Sequence, residues 1–224
     1  MEIIDGVIKD WEPDGTIHID ATVKNLDVAL KRKYSRVQVA IDDGRRITPE
    51  QRRKAYVLLK FIADWMGEYP EPVKEMFKWD FVLNRMEAME KKMFSLSNCS
   101  ETTAREFISF LIDFIIEHGI SCGEPLWKLS EDIGRYVYKC VMTKRCCICG
   151  LPSDLHHVDG SRIGMGGNRD EVNHIGRECL PLCRVHHGTA HTIGDREFME
   201  RYHLVPVKID KKIAKLYRLS IKGE

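Results

Sequence analysis

The chain has almost no net charge: 35 Lys and Arg stand against 34 Asp and Glu, which leaves +1 over 224 residues. Overall charge therefore argues neither for nor against a polyanionic partner, and only its distribution can speak to one. Long apolar runs are also missing. None approaches the ~20 residues that a membrane-spanning helix needs. The first residues, MEIIDGVIKD, carry no basic-then-apolar leader pattern, so a cytoplasmic location is expected. There thiols stay reduced, and the eight cysteines read as buried side chains or metal ligands rather than as disulfides. With 43% apolar and 31% charged residues, the composition is that of a globular protein with one large or two small domains.

What the sequence does have is concentrated. Between Cys146 and His191 lie five of the eight cysteines and six of the nine histidines. Core packing gives no reason to gather those two residue types, whereas ligation of a divalent metal does. One ligand set is Cys146-x-x-Cys149 with Cys183-x-x-His186. Each two-residue gap lets a tight turn point two donors at one ion, and two such knuckles complete the tetrahedron zinc favours. A second set is His156, His187 and His191. His187 and His191 are four apart and share one face of a helix. His156 and His157 are neighbours in LHHV, where strand alternation sends their rings to opposite sides. One ring can then ligate a metal while the other moves protons. A closed four-ligand site interleaved with an open three-histidine site implies one structural and one catalytic ion. Cys99, Cys122 and Cys140 read as small buried side chains, and Cys147 and Cys179 as spares off the knuckle spacing.

The order Cys146, Cys149, LHHV, PLCRVHH and His191 resembles the HNH (ββα-metal) endonucleases over about 46 residues. That resemblance implies a zinc-stapled hairpin and helix. His157 would be the general base, with His156, His187 and His191 on Mg²⁺ or another divalent ion. The reaction would hydrolyse DNA to a 5′-phosphate and a 3′-hydroxyl. The family usually places an asparagine about five residues before the cysteine of PLC. Glu178 stands there, while Asn173 and His174 lie upstream, and the choice among them stays open.

Ahead of the cluster, residues 1–41 read as strands. EIIDGVIKDW and GTIHIDATV form a hairpin about the turn Glu12-Pro13-Asp14-Gly15, and RVQVAI alternates as a third strand. NLDVALKRKY between them is a short helix or an irregular crossover. Thr48, Pro49 and Gln51 announce a helix through RRKAYVLLKFIADWM. A second is expected within PVKEMFKWDFVLNRMEAMEKK. A third is expected from a Thr103-x-x-Glu106 cap to a stop at Gly119, and a fourth from Ser130. From Lys31 to Lys60, ten basic residues face three acids. Arg45, Arg46, Arg52 and Arg53 flank a helix start, where backbone N–H groups also attract phosphate. These four, with Arg162, Arg169 and Arg184 in the cluster, are the candidate DNA contacts.

The segments DGRRITPEQRRKAYVLLKFIADWMG and SETTAREFISFLIDFIIEHGI resemble the phage NinB (lambda Orf) recombination mediators. Together, the two resemblances are similar to HNH nucleases of phages and prophages of Gram-positive bacteria. They imply DNA as partner, a bacterial cytoplasm, and a role in recombination, repair or packaging. A homo-oligomer and other phage recombination or packaging proteins are compatible partners. The expected architecture is α+β. A NinB-like strand-and-helix DNA-binding domain spans residues 1–125, and a zinc-stapled ββα nuclease domain with a leading helix spans 126–224. The competing expectation is a non-catalytic mediator that binds single strands or junctions and uses zinc only as a folding staple.

Overall fold

A computed structural model describes residues 6–22, 26–32, 44–86, 93–160 and 172–220. The chain divides into two compact units, Met1–Gly44 with Val82–Lys92, and Arg45–Phe81 with Met93–Glu224.

The first unit carries β1 (Gly6–Trp11) and β2 (Ile17–Ala21), paired antiparallel with an irregularity between Ile8 and Asp10. The turn closes as expected, with Gly15 N–H donating to Glu12 O at 3.0 Å and Gly15 at φ 90°. NLDVALKRKY supplies the short helix α1 (Leu26–Arg32). The expected third strand, RVQVAI, lies outside the described residues.

The second unit opens with Arg46 bridging to Ser100, which sets the starts of two helices side by side. α2 (Pro49–Met66) begins at a complete capping box of Thr48 and Gln51 and ends at Gly67 in the left-handed region. α3 (Pro70–Met86) follows. α4 (Glu101–His118) starts earlier than the sequence suggested. Ser100, not Thr103, is its cap, and its hydroxyl accepts from Thr103 N–H at 3.1 Å. The bridge to Arg46 fixes Ser100 in the extended conformation a cap requires. Phe77 and Phe81 of α3 meet Phe114 and Phe107 of α4 edge to face, with ring centroids 4.7 and 5.3 Å apart. Burying each such ring is worth roughly 1.5–3 kcal/mol.

A short turn of helix, α5 (Leu126–Leu129), precedes α6 (Ile133–Met142). Ser130, expected to start the fourth helix, instead closes α5, and Asp132 caps α6 through Arg135 N–H at 2.9 Å. A carboxylate at a cap also opposes the positive end of the helix dipole, which favours Asp132 over the hydroxyl. The core runs without a break across residue 125. Leu58, Ile62, Phe107 and Leu111 belong to the same cluster as Val137, Leu180 and Phe198.

Beyond α6 come β3 (Asp154–His157), β4 (Glu178–Leu182), α7 (Arg184–Ile193), α8 (Asp195–Tyr202), β5 (Val207–Lys208) and α9 (Lys211–Tyr217). The sheet order is β3-β4-β5, antiparallel throughout. The unit is thus α+β, with a strand–strand–helix run carrying the cysteines and histidines. Cys147 and Cys179 are buried in its core, and every cysteine is a free thiol. Among the described residues, no helix is long and apolar enough to cross a membrane.

Candidate metal centres

The first centre is built on a knuckle that the backbone closes before any metal is considered. Arg145 bridges to Pro152, Cys146 N–H donates to Leu151 O at 2.7 Å, and Gly150 N–H donates to Cys146 O at 2.8 Å. Gly150 sits at φ 71°, a conformation that suits glycine and lets the turn close. Inside the core, Tyr136 Oη donates to Cys147 O at 2.8 Å, which ties the knuckle to α6. Cys183 follows β4 as the cap of α7, and His186 lies in that helix's first turn.

Together Cys146, Cys149, Cys183 and His186 bring four donor atoms within 4.8 Å of one another. Cys149 Sγ lies 3.7 Å from Cys183 Sγ, and His186 Nδ1 lies 3.6 Å from both Cys146 and Cys149 Sγ. A zinc tetrahedron has S···S edges of about 3.8 Å and S···N edges of about 3.6 Å. The donors therefore fit that ion in kind and in spacing. Burial, with the Cys146 thiol beside it, pushes Cys149 up to about 12. Burial would raise Cys183 too, but the N–H groups of His186 and Val185 hold it below the usual thiol range. A dication at the centre of the four would draw both thiols to thiolate. Burial lowers the His186 pKa, which keeps the imidazole neutral and able to ligate.

His156, His187 and His191 form the second group. Alternation along β3 buries His156, while His157 is half-buried. His187 and His191 lie one turn apart on α7, with their Nε2 atoms 3.2 Å apart. Tetrahedral coordination by imidazole nitrogens sets such an edge at about 3.3 Å. The His156 ring stands 4.6 Å from that of His187 and 5.2 Å from that of His191, centroid to centroid. Burial first, and then the two neighbouring rings, lower the His187 pKa and favour its neutral, ligating form. Three imidazoles without a carboxylate suit zinc, nickel or cobalt better than Mg²⁺, which prefers oxygen donors.

His157 faces a different partner. Its Nε2 is 3.1 Å from Nδ1 of His174, which is itself 3% exposed. Asn173 instead accepts Ile175 N–H through its side chain and closes the turn that presents His174. Glu178 opens β4 opposite Lys208. Asp195 had no sequence signal pointing to this site, since an acid in the first turn of a helix is ordinary. The fold nevertheless buries it to 1% exposure, with Oδ1 2.8 Å from His156 Nε2.

The described candidate arginines are mostly engaged. Arg45 pairs with Glu101 at 3.0 Å, and Arg53 lies 3.9 Å from Glu124. Arg46 reaches Asn98 O at 3.5 Å, while Arg52 donates to Leu96 O at 2.9 Å and Ser97 O at 2.7 Å. Arg184 is the most open, with its side chain 92% exposed. Arg162 and Arg169 lie outside the described residues.

Compared with known proteins, the sequence matches over residues 18–220 the family described as "Putative HNHc nuclease". No curated protein and no solved structure matches it.

Proposed function

The chain belongs to the HNHc nuclease family, and from that premise we propose that it is a metal-dependent endonuclease hydrolysing DNA phosphodiester bonds. The observation that carries this reading is the division of one dipeptide. His156 joins the His187 and His191 group, while the next residue, His157, is held by His174 at 3.1 Å. A zinc-stapled binding module needs neither arrangement.

Cys146, Cys149, Cys183 and His186 would hold a zinc ion that staples the knuckle to the start of α7. A divalent ion on His156, His187 and His191 would supply Lewis-acid stabilisation of the phosphate and of the departing 3′ oxygen. His157 takes the proton of the attacking water, one residue along β3 from a ligand of that ion. His174 fixes the plane of the His157 ring, and so fills the place that the family's asparagine usually holds. Arg45, Arg53 and Arg184 are the proposed phosphate contacts, and Arg46 and Arg52 serve the fold first. We assign the reaction to recombination, repair or packaging of DNA on the resemblance of the segments at 43–67 and 100–120 to the NinB mediators.

The test is cleavage of supercoiled plasmid by zinc-loaded protein with Mg²⁺, Mn²⁺, Co²⁺ or Ni²⁺ added. Nicking is expected, and more strongly with the transition ions than with Mg²⁺. His157→Ala should keep its zinc and fold and lose cleavage by on the order of 10²–10⁴. DNA binding without cleavage under every ion would establish the non-catalytic mediator instead.

A further inference from the structure

We propose that Asp195 is a positioning residue that fixes His156 as a ligand through Nδ1 and so sets the affinity of the three-histidine centre for its ion. The proposal rests on reading His156, His187 and His191 as one divalent-ion site.

Asp195 is 1% exposed, and both carboxylate oxygens are spent at the end of β3. Oδ1 lies 2.8 Å from His156 Nε2, and Oδ2 accepts Asp159 N–H at 2.7 Å. A carboxylate this deep is normally paired, because its desolvation is otherwise too costly. Placing the imidazole proton on Nε2, where it donates to the carboxylate, leaves the lone pair for a metal on Nδ1. Three neutral imidazoles offer no charge of their own to a dication. Asp195 supplies a negative one, one ring away, and makes His156 the more basic ligand.

The chain brings Asp195 there by a route that depends on glycine. α7 ends and α8 begins at Gly194, whose φ 86° and ψ 149° fall in a region essentially reserved for that residue. The helix that supplies His187 and His191 is thus followed at once by the group that holds the third ligand.

Titration of zinc-loaded, full-length protein with Co²⁺, followed by calorimetry and visible absorption, tests the assignment. The parent should take up Co²⁺ at the histidine centre, and His187→Ala should weaken that uptake sharply. Asp195→Asn, which keeps an acceptor but loses the charge, should bind Co²⁺ about 10-fold more weakly, and Asp195→Ala up to about 100-fold more weakly. Both should keep the zinc of the cysteine centre. A merely structural role would lower the melting temperature and leave the Co²⁺ affinity of the folded protein unchanged. If Asp195→Ala fails to fold, Asp195→Asn decides the matter. Parent-like affinity in the variants that fold overturns the proposal while leaving the histidine site standing. Absence of Co²⁺ uptake by the parent overturns both.

Discussion

One peptide step along β3 gives His156 and His157 to different partners, and the difference is measurable. Loss of a ligand can be offset by mass action, whereas loss of a base cannot. The cleavage rate of His187→Ala should therefore climb back toward the parent as divalent ion is raised, and that of His157→Ala should stay low. Rates measured against metal concentration check this, and rescue of His157→Ala would sink the assignment of base and ligand. The two candidate clusters are legible in the sequence because their spacings are local, a knuckle turn in one case and a helix repeat in the other. Asp195 is not. Its 1% exposure comes from packing between α8 and the end of β3, and no spacing encodes that. The same holds for His174, which stands seventeen positions after His157 in the sequence.

At the scale of elements, the helices were read well and their first turns less so. Ser100 and Thr103 can each cap a helix, as can Ser130 and Asp132, and a sequence window cannot choose between two capping side chains two or three residues apart. The Arg46–Ser100 bridge chooses for α4. At the basic run that starts α2, counting charge ignores what each cation already holds. Lys54 pairs with Glu131 at 2.6 Å and Lys60 with Asp64 at 2.9 Å, and Arg52 secures the backbone at Leu96 and Ser97. Arg52→Ala should thus lower the melting temperature by several degrees, consistent with losing hydrogen bonds of about 1–3 kcal/mol. Arg45→Glu with Arg53→Glu, both on open side chains, should leave the melting temperature nearly unchanged. The double reversal should weaken DNA binding and flatten its salt dependence by about two phosphate contacts. Thermal melts and binding across a salt series separate the two outcomes, and parent-like binding by the double variant would show a merely solvated face.

For the whole molecule, the unbroken core from α2 through α4 and α6 to β4 means that a zinc ion would not be its sole support. Structural zinc contributes roughly 10 kcal/mol in isolated finger peptides, but here the helices retain their own apolar burial. Cys149→Ala should abolish zinc in elemental analysis and strip amide-exchange protection from the knuckle, β3 and α7. Protection in α2 and α4 should survive. Uniform loss of protection along the chain would show that the metal holds everything. The candidate metal region is marked locally in the sequence, whereas a core shared between distant segments leaves no local mark. One helix joins the two candidate centres. α7 is only ten residues long and carries ligands of both centres, His186 for one and His187 with His191 for the other. On the proposed function, closing the zinc centre would set the turn of helix that presents the histidines. A chain newly made under zinc scarcity would then leave DNA intact, and cleavage would begin only after the staple had closed.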